Sequence, residues 1–73
     1  MSKLPTDLSG PDAVKAFTKA GWIIRKWGSH IILEKPGVRP ILSVPNHKFL
    51  KPGTLRGLIR TADLSLEDFL RLL

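Results

Sequence analysis

The sequence has no cysteine, only six acidic residues and no long apolar run. Without cysteine the chain can form neither a disulfide nor a thiolate metal site, so we expect packing alone to hold the fold. No apolar run approaches the ~20 residues of a membrane span, and the first residues lack the hydrophobic core of a signal peptide. We therefore expect a cytoplasmic protein with no membrane association.

The shortage of acidic residues leaves a strong positive charge. Twelve Lys and Arg stand against six Asp and Glu, which gives a formal net charge of +6. Such an excess is the electrostatic footprint of a nucleic-acid-binding protein, although acidic proteins and anionic membranes also attract basic chains. With only two Trp and three Phe, contacts through phosphates and shape are favoured over extensive base stacking.

The length of 73 residues allows one small domain, which we assign to residues 1–73. A chain of this size buries about 60% of the surface that it would expose when unfolded, enough for one thin core. A deep pocket that encloses a cofactor is therefore not expected, and we predict no cofactor.

Hydrophobic periodicity predicts the element order α-β-β-β-α-α after an extended lead-in over residues 1–8. Ser9 is the predicted N-cap of the first helix and Gly21 its C′ residue. A Gly-Ser pair at 28–29 predicts a tight hairpin turn. We thus expect a small two-layer α+β domain with a three-stranded antiparallel sheet. The later elements are strands over residues 22–27, 30–35 and 41–44, a helix that begins near Pro52, and a short helix after Ser65.

Alternation along the second strand separates two faces. Ile31 and Leu33 fall on one face, and His30, Ile32 and Glu34 fall on the other. The pattern does not decide which face the helices cover. The predicted core residues are Phe17, Leu55, Leu58 and Ile59. The last helix is predicted to present an apolar stripe formed by Leu66, Phe69, Leu70 and Leu73.

Several kinds of catalytic site are not expected, because the chain lacks the residues or the spacing that they need. Metal sites need clustered His, Cys or carboxylate ligands, and this chain has two histidines and scattered acids. Ser29 and His30 are adjacent, so their side chains diverge in a strand and cannot easily form a nucleophile–base pair. Gly28 is interpreted as a backbone requirement of the turn, because a Cβ there could obstruct it.

One histidine with Arg and Lys residues around it suits one class of reaction. RNA carries its own nucleophile, the 2′-hydroxyl beside the phosphate, and an imidazole with a reference pKa of about 6.5 can accept that proton. His30 is the candidate general base, with a structural turn histidine as the alternative. Candidates for RNA contact are Arg25, Lys26, Ser29, His47, Lys48, Lys51, Arg56 and Arg60; for the helix residues among them, a merely solvated charged face is the alternative.

Two separated motifs resemble the HicA (YcfA-like) toxins of bacterial toxin–antitoxin pairs. The first runs from Leu8-Ser9-Gly10 through Lys19-Ala20-Gly21-Trp22 to Gly28-Ser29-His30, and the second is Val44-Pro45-Asn46-His47-Lys48 followed by Lys51-Pro52-Gly53-Thr54-Leu55-Arg56. The likeness covers roughly residues 4–64. It implies a fold like that of double-stranded-RNA-binding domains, ribosome-independent mRNA cleavage, and neutralisation by a HicB antitoxin. It also implies that His30 is the catalytic histidine.

The chain departs from this family at two positions. Ile31 replaces the second histidine that many members carry, which puts an assisting role there in doubt. Trp27 replaces a polar or small residue, and it could stack on a base, contact the antitoxin or pack as an edge residue. Two other functions stay open: a non-catalytic RNA-binding module, and an interaction protein whose basic surface docks an acidic partner.

Overall fold

The computed structural model describes residues 3–73 and confirms the α+β fold in the predicted order. The elements are α1 (Gly10–Lys19), β1 (Ile23–Trp27), β2 (His30–Glu34), β3 (Leu42–Pro45), α2 (Pro52–Thr61) and α3 (Leu66–Leu72). Residues 3–9 form neither helix nor strand, as predicted for the lead-in, whose first two residues lie outside the described part. Within residues 3–73, no helix is long and apolar enough to cross a membrane.

Local capping explains where the helices begin and end. The Ser9 hydroxyl accepts a hydrogen bond from the Asp12 amide, and the Asp12 carboxylate accepts one from the Ser9 amide, which is a capping box. Ser65 and Asp68 form the same pair at the start of α3. Gly21 has φ = 100°, the left-handed conformation that favours glycine after a helix. These predicted boundaries are confirmed.

The three strands form one antiparallel sheet in the order β1-β2-β3. Ile31 pairs with Val44 of β3 and with Trp27 of β1. Between Ile24 and Lys26 the register of β1 shifts by one residue. This β-bulge was not predicted, and it places two residues of β1 opposite one residue of β2.

One core lies between the sheet and the helices. Ile31 and Leu33 of β2 are fully buried, so the helices cover their face and His30 lies on the opposite one. We call this second surface the outer face of the sheet; by register it also carries Ile23, Lys26, Ile32, Glu34 and Ser43. The four predicted core residues of α1 and α2 are buried.

The predicted apolar stripe of α3 is only partly correct. Phe69 is fully buried and its ring lies 5.2 Å from that of Phe17, centroid to centroid. Leu66 and Leu70 are half-buried. Leu73, however, is exposed, because α3 ends at Leu72 and the last residue extends past the core.

Candidate active site on the sheet

His30 is the first residue of β2 and follows directly after the hairpin turn. Its cross-strand partner is Pro45, the last residue of β3. The side chain is exposed on the outer face, and within residues 3–73 no protein group forms a hydrogen bond with its imidazole. Both ring nitrogens are therefore free to face a bound molecule.

The bulge in β1 brings two cations to the same face as His30. Lys26 pairs with Ile32, whose side chain points away from the buried Ile31 and Leu33. Arg25 is the extra residue of the bulge, and its Nε donates to Glu34 Oε2 on the outer face at 3.1 Å. Regular alternation would have placed adjacent residues on opposite faces. The bulge instead gives the outer face two neighbouring positive charges.

These two cations differ in their surroundings. Arg25 is engaged by Glu34, although both side chains are about half exposed, so the ion pair is weak and open to exchange. Lys26 forms no ion pair within the described residues 3–73. Arg25 was predicted as an RNA contact without this partner, and any phosphate bound there must compete with the Glu34 carboxylate.

The loop that follows β3 holds the hairpin turn in place. We call residues 28–30 the histidine turn and residues 46–51 the β3–α2 loop. Asn46 donates two hydrogen bonds to the turn: its backbone amide binds the Ser29 carbonyl oxygen, and its side-chain Nδ2 binds the Gly28 carbonyl oxygen, each at 3.0 Å. Asn46 was not among the predicted site residues.

The rest of the β3–α2 loop is attached to the start of α1. The His47 carbonyl accepts from the Gly10 amide at 2.9 Å, and the Leu50 amide donates to the Leu8 carbonyl at 2.8 Å. Leu50 is also buried. The intervening Lys48 and the His47 side chain remain exposed. His47 and Lys48 therefore lie in the loop that is hydrogen-bonded to the histidine turn, and their side chains are open to solvent.

The glycine that close packing requires is Gly10 and not Gly28. A Cβ on Gly10 would overlap the carbonyl oxygen of Pro45, which is backbone and cannot move aside cheaply. A Cβ on Gly28 would meet only the His30 carbonyl oxygen at 3.9 Å, an ordinary contact, and Gly28 has no positive φ. The prediction that a side chain would obstruct the turn at Gly28 was wrong.

The remaining predicted RNA contacts are exposed but not joined to the histidine turn. Lys51 is the N-cap residue of α2 and forms no side-chain capping bond. Arg56 and Arg60 lie one turn apart on α2, beside a cavity of about 360 Å³ that is also lined by Leu4, Ile59, Leu64 and Leu66. Within residues 3–73, no hydrogen bond or ion pair connects these three cations to residues 28–30.

The two departures noted in the sequence have clear structural settings. Ile31 is fully buried, so a histidine at that position would point into the core and away from His30. Trp27 is 55% exposed, which excludes the interpretation of a packed edge residue. Its partner across the sheet is Ile31, so its side chain lies on the helix side but beyond the cover of the helices.

The acidic and histidine side chains of the described residues are scattered. Across residues 3–73, no group of three or more His, Cys, Asp or Glu is close enough together to hold a metal ion. The outer face thus offers an imidazole, a carboxylate engaged with the guanidinium of Arg25, and the exposed ammonium group of Lys26. Such a set can exchange a proton and bind an anion.

The sequence matches a known protein family. No individual curated protein matches the chain. A family model described as the HicA toxin of bacterial toxin–antitoxin matches residues 10–64, which include α1, the whole sheet and α2. Because this match extends over most of the 73 residues, the chain belongs to the HicA toxin family of bacterial toxin–antitoxin systems.

Proposed function

We propose that this toxin is a metal-independent endoribonuclease that cleaves mRNA in the cytoplasm, with His30 as the general base. The observation that carries the proposal is the position of His30 on the open outer face, with Arg25 and Lys26 on that face and a loop bonded to its turn. An exposed surface, rather than an enclosed pocket, suits a polymeric substrate.

In the proposed reaction the imidazole of His30 takes the proton of a ribose 2′-hydroxyl. The 2′-oxygen forms a bond to the adjacent phosphorus while the bond from phosphorus to the 5′-oxygen breaks, and the leaving oxygen takes a proton from water. The hydroxide left behind takes the proton from the His30 imidazolium, which restores the base. The products are a 2′,3′-cyclic phosphate and a free 5′-hydroxyl. One general base contributes about 10²–10⁴-fold to the rate.

The cations have a separate role in this proposal. Lys26, with Lys48 and His47 of the β3–α2 loop, would bind phosphates beside the scissile bond, and their charges would stabilise the negative charge that develops on the phosphate oxygens. Ser29 would contact the RNA from the turn. Arg25 would join once RNA displaces Glu34. Lys51, Arg56 and Arg60 would add phosphate contacts further along the strand.

The family implies an antitoxin partner, and we propose that this partner is of the HicB type. Trp27 supports a hydrophobic contact with that partner, since more than half of its surface is open. A basic outer face also suits an acidic partner surface. Trp27 lies on the helix side of β1, so only an antitoxin that also covers the outer face would block access of RNA to His30.

The test compares the wild type with His30→Ala on a long single-stranded RNA in excess EDTA. His30 is exposed and its side chain forms no hydrogen bond within residues 3–73, so the variant should fold normally, as circular dichroism will check. We expect cleavage by the wild type and loss of at least about 100-fold in rate for the variant. His47→Ala is the matched control, an exposed histidine on the neighbouring loop, and it should retain more activity than His30→Ala.

Each other outcome has a defined meaning. Equal cleavage by the wild type and His30→Ala contradicts the role of His30, and 5′-phosphate products indicate attack by water instead of the 2′-hydroxyl. Binding of RNA without cleavage, with a steep dependence on salt, supports the non-catalytic RNA-binding module. Little RNA affinity at physiological salt supports a protein that docks an acidic partner.

A further inference from the structure

Few features within the histidine turn restrict its conformation. Its residues have no buried side chain, since Ser29 and His30 are exposed and Gly28 is only half-buried. Gly28 has neither a positive φ nor a steric restriction on its Cα. The neighbouring strand β1 is exposed along its whole length. What holds the turn must therefore come from outside it.

Asn46 supplies two of the bonds that hold it. The amide of Asn46 binds the carbonyl of Ser29, and its side chain binds the carbonyl of Gly28. Each carbonyl lies in a rigid peptide plane with the next Cα. The Gly28 carbonyl shares its plane with the Cα of Ser29, and the Ser29 carbonyl shares its plane with the Cα of His30. The two bonds of Asn46 therefore hold the two consecutive peptide planes that lead to His30.

Asn46 is itself firmly placed. It follows Pro45, whose carbonyl oxygen is packed against the backbone at Gly10, and it precedes His47, whose carbonyl is bonded to the Gly10 amide. Val44, two residues earlier, is fully buried. The side chain of Asn46 thus connects the well-packed edge of the sheet to the exposed turn.

We propose that Asn46 is a positioning residue, which fixes the orientation of His30 toward RNA by clamping the Gly28 and Ser29 carbonyls. The inference rests on the proposed endoribonuclease function for its effect on rate, but the clamp itself can be measured without any reaction. Misplacement of a catalytic group by about 1 Å can cost about 100-fold in rate. Loss of one of two clamping bonds is expected to cost about 10-fold in kcat.

The experiment compares Asn46→Ala with the wild type. This variant removes only the bond to Gly28, because the backbone amide can still bind Ser29. Thr18→Ala is the matched control: it also removes one bond from an exposed side chain to a backbone carbonyl, from Thr18 Oγ1 to Lys15 at 2.8 Å, in helix α1. Circular dichroism checks the fold of all three proteins.

The first measurement is NMR of the backbone amides and of the His30 ring, with no RNA present. In Asn46→Ala we expect chemical-shift changes and line broadening confined to residues 28–30 and 45–47, and in Thr18→Ala no change there. Unchanged signals of the histidine turn would overturn the inference. Changes spread through the core would do so too, since they would make Asn46 a residue of general stability.

The second measurement is the kinetics of RNA cleavage. We expect Asn46→Ala to lower kcat about 10-fold with KM unchanged, since no charge is altered, and Thr18→Ala to match the wild type. A raised KM with unchanged kcat would overturn the positioning role and make Asn46 a direct RNA contact. If the wild type cleaves no RNA, the proposed function fails, and the NMR result alone decides whether the clamp exists.

Discussion

The two edge strands of the sheet flank the same central residues but differ sharply in burial. Leu33 of β2 pairs with Leu42 on one side and with Ile24 on the other. Leu42 is fully buried, whereas Ile24 is 41% exposed. The next row repeats the difference, with Val44 buried and Trp27 exposed on either side of Ile31. All these residues lie on the helix side of the sheet.

The four edge residues compared in these two rows are all apolar, so residue type does not explain their difference in burial. The position of the helices does. Helices α1 and α2 both pack on β3. At Gly10 the backbone of α1 approaches the Pro45 carbonyl too closely for any side chain. Among the described residues 3–73, nothing covers β1 to a comparable degree, since all five of its residues are exposed. Its bulge adds twist to an edge that carries Arg25 and Lys26. The β3 edge is packed into the core, and the β1 edge remains open to solvent.

His30 lies between these two edges. Its strand is the central one, its partner Pro45 belongs to the packed edge, and the cations of the outer face belong to the open edge. If His30 is the general base that we propose, this position would give it rigidity from one side and access to RNA from the other. Substitutions on the two edges can therefore separate stability from access.

Leu42→Ala should have the largest effect. The side chain is fully buried in β3, and its truncation leaves a cavity in the core. We expect a loss of about 2–5 kcal/mol in the free energy of unfolding, measured by urea denaturation. In a domain of this size such a loss can unfold the protein, which would itself agree with the prediction. A loss below about 1 kcal/mol would contradict the assignment of β3 to the packed edge.

Gly10→Ala tests the contact between α1 and β3. The new Cβ would overlap the Pro45 carbonyl oxygen, so either the helix or the end of β3 must shift. We expect destabilisation by about 1–3 kcal/mol, as for other overpacked sites. The matched control is Gly57→Ala in α2, where a Cβ meets no atom within 4 Å. There alanine should stabilise the helix by about 0.5–1 kcal/mol. Equal effects at both glycines would disprove the close contact.

Ile24→Ala is the counterpart of Leu42→Ala on the open edge. It removes the same number of carbon atoms in the same row of the sheet, but from a side chain that is 41% exposed. We expect a loss of about 1 kcal/mol, because part of the side chain is hydrated already and no closed cavity forms. The comparison of the two variants by urea denaturation is direct. If both lose the same free energy, the two edges do not differ as described.

Much of this fold could be predicted from local sequence signals. The caps at Ser9 and Ser65, the glycine at 21 and the apolar periodicity of α1 and α2 are local features, and each is confirmed. The turn before His30 was also predicted, because its Gly-Ser pair separates two apolar segments. Local patterns did not decide which face of the sheet is buried, since Ile32 on the outer face is as apolar as Ile31.

The features that were missed depend on contacts between distant segments. No glycine or proline within residues 23–27 marks the bulge, which therefore leaves no local signal. The requirement for Gly10 arises from β3, far along the chain, and Gly28 was credited with a restriction that it does not have. Asn46 carries no charge and was overlooked. The available signals were its place in the second motif and its position directly after the proline that ends β3.

Glu34→Gln should have the smallest effect on stability and gives the sharpest test of the open edge. The Arg25–Glu34 ion pair is about half exposed on both sides, so its loss should cost below about 1 kcal/mol. Removal of the carboxylate frees Arg25 for phosphate and raises the net charge of the protein by one. We therefore expect tighter RNA binding and a steeper dependence of affinity on salt.

The expected gain in RNA affinity of Glu34→Gln combines two effects, the release of Arg25 and the higher net charge. A second substitution separates them. Glu67→Gln removes an exposed acid on α3 and raises the net charge equally, but Glu67 forms no ion pair within residues 3–73. If Arg25 contacts RNA, Glu34→Gln should increase affinity more than Glu67→Gln, measured by fluorescence anisotropy at several salt concentrations. Equal gains would mean that only the overall charge matters and that Arg25 does not touch the RNA. The bulge would then serve only to protect the edge strand.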